Sequence, residues 1–333
     1  MRKGFRIALA FVLVAIATGL MWLVLRKPAE PVYQGKPLSA WLQALDPSGP
    51  VKFMSPEWIQ ASNAICHIGT NAIPTLLEML QAKDSALTLK IISLAQKQHV
   101  IKVNHLYDWQ RVGEAMWGFQ ALGASASNAV PELIKIYSQN KADLSRGAIA
   151  GSLGDIGPPA RSALPLLLKE LGSNTNGLAR GNTLWALGLI HAEPETVVPV
   201  LTRFLNDPSK FNRMYALQSL ENFGMNSVSA TFGILELIRD QDLDVRQSAL
   251  HALSIIYGNK EWDRLVSTGF NPEYQSSTLI TVINDFGAMG TNAKPAIPAL
   301  VKFLADPDEQ VRTSAAAALK AIDPEGAAKA GVK

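Results

Sequence analysis

The residues of this 333-residue chain that come nearest to a reactive constellation are His99, His105 and Asp108. On one helical turn, His105 and Asp108 would hold a metal ion or pair as a general base and its orienting carboxylate. No fourth ligand stands at a matching spacing, so the metal set is incomplete. His67 and His191 fall near helix ends, and His251 lies inside SALHAL on a partly buried helical face. Cys66, the single cysteine, stands in SNAICHIG at core spacing and reads as a buried thiol. Its neighbour His67 occupies an adjacent helical position, and adjacent positions do not face each other. One cysteine excludes an internal disulfide, a thiolate zinc cluster and a CxxCH haem site. Neither a G-x-S-x-G elbow nor a G-x4-G-K-[ST] phosphate loop is present. The expectation is a protein without a catalytic residue, a metal or a cofactor.

A row of arginines is the other charged pattern. Arg111, Arg146, Arg180, Arg213, Arg246 and Arg312 follow one another at 35, 34, 33, 33 and 66 residues. Six residues before five of them stand Asn140, Asn174, Asp207, Asp240 and Asp306. The arginines could form an anion-binding row. A side-chain oxygen at that spacing instead caps the next helix and accepts from a guanidinium of its own or an adjacent repeat. That chemistry favours a structural ladder.

The elements that carry this row repeat with it. Ala72-Ile73-Pro74, Ala129-Val130-Pro131, Ala163-Leu164-Pro165, Val197-Val198-Pro199 and Ala296-Ile297-Pro298 each open an aliphatic segment, and Pro131, Pro165 and Pro199 are 34 residues apart. Thr231-Phe232-Gly233 is a degraded copy. Pairs such as Leu76 and Leu80, Leu133 and Tyr137, or Leu167 and Leu171 recur at i, i+4, which demands a helix. Gly123, Gly157 and Gly290 each precede their proline by eight residues. Glycine ends one helix and proline starts the next, so each unit is helix, tight turn, helix. One pair cannot bury its own apolar face; pairs must stack.

With three markers in one phase over residues 38–322, the chain resembles HEAT-like repeats. The stretch Tyr33-Gln34-Gly35-Lys36-Pro37-Leu38-Ser39-Ala40-Trp41-Leu42 resembles a motif that precedes such repeats in membrane-tethered bacterial proteins. The resemblance implies an all-α, right-handed α–α superhelix serving as a non-catalytic scaffold with a concave binding surface. No His-Glu dyads like those of HEAT-like metal hydroxylases occur. A HEAT-like lyase, or a small-ligand or metal binder using residues 97–109, is the alternative.

Two insertions break the period, near 82–110 and near 259–275. Insertions between repeats project on one face that often binds, so His105, Tyr107, Trp109, Trp262, Phe270 and Tyr274 are candidate contacts for a protein partner. These aromatics could equally cover irregular helix ends.

The formal charge of +3 comes from 31 Lys and Arg against 28 Asp and Glu. Five basic residues (Arg2, Lys3, Arg6, Arg26, Lys27) lie in 1–27, where no acid occurs, leaving 26 against 28, or −2, elsewhere. That remainder argues against nucleic acid. Residues 7–25, IALAFVLVAIATGLMWLVL, are nineteen without a charge. At 1.5 Å per residue they cover about 28 Å, the thickness of a hydrocarbon core. The more basic N-terminal flank places the N-terminus in the cytoplasm and the C-terminal domain in the periplasm. A cut after Ala17 would leave an apolar start, which favours an uncleaved anchor over a signal peptide. Residues 28–36 read as an extended tether, and 37–333 as the array, opening on Leu38, Trp41, Leu42 and Leu45 as one apolar stripe.

Overall fold

The computed structural model describes residues 30–46, 52, 54–97, 105–139, 142–173, 177–259, 262, 265 and 275–332. The apolar run 7–25, His99, Asn140, Asn174, Phe270 and Tyr274 lie outside them. Among the described residues no helix is long and apolar enough to cross a membrane.

The chain enters the array through an antiparallel hairpin, β1 (Val32–Tyr33) and β2 (Lys36–Pro37), turning at Gln34 and Gly35 with φ of 49° and 74°. This corrects the expectation of an extended tether. The Leu38 N–H donates to Pro31 O and the Ser39 N–H to Glu30 Oε2, both at 2.9 Å, so the segment is tied to the first helix. That helix, α1 (Leu38–Leu45), buries Leu38, Trp41, Leu42 and Leu45 as its spacing predicts.

Helix pairs follow: α2 (Pro56–Ile68) with α3 (Ile73–Leu80), then a separate α4 (Ala86–Lys97), then α5 (Asp108–Leu122) with α6 (Val130–Gln139). Next come α7 (Asp143–Ile156) with α8 (Leu164–Ser173), α9 (Gly177–Ile190) with α10 (Pro194–Arg203), and α11 (Lys210–Phe223) with α12 (Thr231–Glu236). Helix α13 (Leu243–Tyr257) precedes α14 (Gln275–Met289) with α15 (Ile297–Phe303), and α16 (Glu309–Ile322) with α17 (Pro324–Lys329) closes the array. First helices stack on first helices: α5 on α7, α7 on α9, α9 on α11, α11 on α13, and α14 on α16. Leu76, Leu80, Leu133, Tyr137, Leu167, Leu171, Leu201, Leu205 and Leu300 all face one continuous core, because i, i+4 spacing keeps each pair on one helical face.

The turns are longer than the tight connections predicted. Most pairs are joined by a 3₁₀ segment, as at Gly123–Ala129, Pro158–Ala163, Gly224–Ala230 and Gly290–Ala296. Gly157 shows why glycine begins it: at φ 78°, ψ −144° its N–H turns back to Gly154 O at 2.8 Å. A side chain rarely tolerates that backbone. The α9–α10 junction lacks glycine, and there His191 and Glu193 take φ of 49° and 51° themselves.

Small residues set how closely first helices approach. A Cβ added at Gly154 would stand 2.7 Å from Ala186 Cα, and one at Gly188 would stand 2.7 Å from Ser219 Cα. The seam between α7, α9 and α11 is therefore backbone against backbone.

Candidate functional site

The arginine row forms a two-part ladder. Arg213, Arg246 and Arg312 each hold their own repeat through backbone carbonyls. Nη1 of Arg213 donates to Asp207 O and Pro208 O at 2.8 and 3.2 Å. Arg246 repeats this on Asp240 O and Gln241 O at 2.7 and 3.2 Å, and Arg312 on Asp306 O and Pro307 O at 2.8 and 2.9 Å. The other side of the guanidinium reaches the carboxylate of the following repeat. Arg213 Nη2 donates to Asp240 Oδ1 at 2.9 Å, and Arg180 Nη1 to Asp207 Oδ2 at 3.4 Å. In both pairs the acid lies 27 residues after the arginine. The aspartate also accepts from a backbone N–H two residues on, Ser209 at 2.9 Å or Asp242 at 2.8 Å, which starts the next helix. Asp and Arg thus fix one repeat to the next in a nearly dry seam, and Arg213 and Asp240 are both buried enough that neither is offered to an anion.

Irregularities in the ladder have local causes. Glu170 of α8 takes Arg146, and Asn174, six before Arg180, lies outside the described residues. Residue 279, 27 before Asp306, is a leucine, and Arg239 from the end of the α12 pair donates to Asp306 at 2.7 and 3.2 Å. This bond joins residues 67 apart in the chain. Helix α12 packs on α15. Trp262 is fully buried, 5.2 Å from Phe286 and 6.0 Å from Tyr257 between ring centroids, and its Nε1 donates to Asp285 Oδ2 at 2.8 Å. Trp262 is a core plug and not a surface contact for a partner, which corrects the expectation from sequence. Burial pushes the Tyr257 hydroxyl up to about 12 in the same cluster.

The first insertion is clamped at its base. Asp84, whose carboxylate is nearly inaccessible, accepts from Arg111 Nη2 at 2.7 Å, from His105 Nε2 at 3.1 Å, and from the Asp108 N–H at 2.9 Å. Asp84 is the ladder acid that sequence reasoning missed. Position 105, six before Arg111, holds His105 where the other repeats hold Asp or Asn. The intervening 21 residues displace the acid to 84, and searching for the absent partner of Arg111 would have found it. His105 and Tyr107 belong to this clamp: Tyr107 meets the His105 ring edge-on at 5.2 Å and its N–H donates to Gln110 Oε1 at 3.0 Å. Both side chains are half-buried, with their polar groups turned onto the base of the insertion. Asp108 accepts from the Trp109 N–H and is not aligned with His105 as a metal pair. Among the described residues no three His, Cys, Asp or Glu side chains gather as a metal set. Trp109 alone of the described candidates is well exposed.

Two further expectations change. Cys66 is exposed, with its Sγ 3.0 Å from Ala121 O, because its position on α2 lies just outside the face that buries Ala61, Ala64, Ile65 and Ile68. His251 is exposed too and stands 3.4 Å from Glu221 of α11. Burial raises the Glu221 carboxyl, against the pull of His251. Burial likewise pushes Asp155, at the last turn of α7, up to about 7.

The surface left over carries a repeated feature. Leu144, Phe211 and Leu243, each two or three residues before a ladder arginine in the first turn of α7, α11 and α13, all expose their side chains.

Stacked helix pairs with an Asp–Arg ladder at one phase define an α-solenoid of the HEAT and armadillo class. Residues 164–254 match the family model for HEAT repeats and residues 296–324 the model for the HEAT repeat. The matched residues fall on the stacked helix pairs from α8 to α13 and on α15 with α16. No curated protein sequence matches it. Among solved structures, an engineered protein is 16% identical, with 88% of this chain and 92% of that chain covered at a TM-score of 0.39. A designed armadillo repeat protein in complex with the peptide (KR)4 is 18% identical, with 75% and 99% covered at 0.35. The complex of CpcE and CpcF of phycocyanin lyase from Nostoc sp. PCC7120 is 18% identical, with 90% and 98% covered at 0.40.

Proposed function

We propose that this chain is a non-catalytic, membrane-anchored scaffold that binds another protein along its helical array, with residues 7–25 as an uncleaved anchor and the array in the periplasm. The observation that carries the binding reading is the set Leu144, Phe211 and Leu243: large apolar side chains are exposed in the first turn of three first helices, two or three residues before a ladder arginine. Isolated exposed leucines need no explanation, but apolar side chains at the same end of several first helices offer an extended partner more than one anchor. The charge of −2 outside 1–27 supports a protein partner over nucleic acid. The anchor and its orientation rest on the nineteen uncharged residues and their basic flanks.

The test places a photoreactive amino acid at Phe211, and at Lys320 as control, in cells making the full chain. Irradiation is followed by protease treatment of spheroplasts. A discrete protein adduct at 211, absent at 320 and degraded by external protease, is the expected result. No adduct at 211 removes the binding reading, and an adduct that survives protease removes the periplasmic placement.

A further inference from the structure

We infer that helix α4 (Ala86–Lys97) lies on the surface of the membrane, with its apolar face in the headgroup–acyl boundary of an anionic bilayer. This inference rests on the proposed anchor at residues 7–25.

The helix is built unlike its neighbours. A helix on the surface of an array turns its polar face to water and its apolar face to the core. In α4, Leu87, Leu89, Ile91 and Leu94 are 68%, 42%, 57% and 60% exposed, while Ile92 is the aliphatic residue it buries, at 7%. Leu87, Ile91 and Leu94 fall at i, i+4 and i+7, so they form one stripe on the side away from Ile92. The sequence between Ser85 and Tyr107 contains no acid. Lys90 and Lys97, both exposed, project roughly 40–60° round the helix from Leu94, beside the stripe and away from Ile92. Lys83, in the segment just before the helix, is exposed as well. Aliphatic side chains edged by lysines, without carboxylates, make an interfacial helix: the stripe enters the acyl boundary and the ammonium groups meet anionic headgroups. Trp109, the exposed aromatic at the foot of the insertion, is held there by the Asp84–Asp108 bond and suits the same boundary.

Chain length decides for lipid over a protein groove. From Leu25, where the apolar run ends, to Glu30 is five residues, at most about 18 Å when extended. Glu30 is itself bonded to the start of α1, and α1 packs on α2. The N-terminal end of the array is therefore held within about two helix diameters of the bilayer. Helix α4 leaves the array directly after the α2–α3 pair, at that end.

The test uses the full chain with Cys66→Ser, bearing a nitroxide on a single new cysteine at Leu94, at Val14 within the anchor, or at exposed Gln218. Each is reconstituted in vesicles of phosphatidylcholine and phosphatidylglycerol, and circular dichroism verifies helix content. Nitroxide relaxation by oxygen and by an aqueous nickel chelate reports the phase around each label. Labels at 94 and 14 are expected to see oxygen and be shielded from nickel, with 218 open to nickel. Adding Lys90→Glu and Lys97→Glu should raise nickel access at 94 several-fold. Nickel access at 94 with 14 still in lipid overturns the inference and leaves the anchor standing. Access at both overturns the anchor as well. Shielding at 94 from oxygen and nickel together means a protein groove covers the stripe, which also overturns it.

Discussion

Asp155 illustrates how a single side chain is set against its surroundings. It stands one residue before the end of α7, where the helix dipole and burial both oppose a negative charge. Among the described residues no hydrogen bond or ion pair reaches its carboxyl. Burial moves it from 3.8 to about 7 in the folded chain. The folded protein thus keeps a proton that the unfolded chain releases between these values. The contribution of Asp155 to stability is most favourable below pH 4, falls as pH rises towards 7, and is flat beyond. Asp155→Asn should remove that slope. The variant is expected to be more stable than the parent by about 1–3 kcal/mol at pH 8, the difference shrinking as pH falls to 4. Urea titrations at both pH values measure it, and equal slopes for the two proteins would refute it.

At the scale of elements, glycine is the decisive residue, for two different reasons. Gly157 and its counterparts begin a 3₁₀ connection at positive φ, and their spacing from proline was legible in the sequence. Gly188 does something periodicity alone does not reveal. It sits inside α9 at an ordinary helical conformation, yet a Cβ there would fall 2.7 Å from the α11 backbone at Ser219. Ser219 adds to the seam by donating its hydroxyl to Leu184 O at 2.8 Å. Alanine is the better helix former by about 1 kcal/mol. The clash with backbone is nevertheless larger, and Gly188→Ala should destabilise the protein by about 1–3 kcal/mol. Gly172→Ala, on an open surface of α8, should not. Thermal melts of the two variants separate helix propensity from packing.

Over the whole molecule, each repeat touches mainly its neighbours, so stability is a sum of units and of the seams between them. Arg213 and Asp240 form one of those seams, and Asp240 also starts α13 through its bond to the Asp242 N–H. Asp240→Ala removes both and strands a buried guanidinium. The expected loss is about 3–5 kcal/mol. It should fall at one junction, splitting a single unfolding transition into two that differ between probes placed before and after residue 240. Loss of stability with one unbroken transition would show that the ladder acts within repeats instead of between them.

The all-α repeat class was readable from residues alone, because a helix writes its buried face as i, i+4 pairs and a stacked array must write it again every period. Arg146, Arg180, Arg213, Arg246 and Arg312 were readable as a ladder for the same reason. Their partners were not, since a guanidinium reaches across the seam and its acid is chosen by distance in space: Asp240 for Arg213, Glu170 for Arg146, Asp84 for Arg111 across an insertion, and Asp306 for Arg239 across 67 residues of chain. Burial divided the aromatic candidates similarly. Trp262 and Trp109 look alike in sequence, each in an irregular stretch, but Trp262 is drawn into the core against Tyr257 and Phe286 while the clamp at Asp84 leaves Trp109 in solvent. Local spacing determines which face a helix buries. Only the packing of distant segments determines which faces remain for a membrane or a partner.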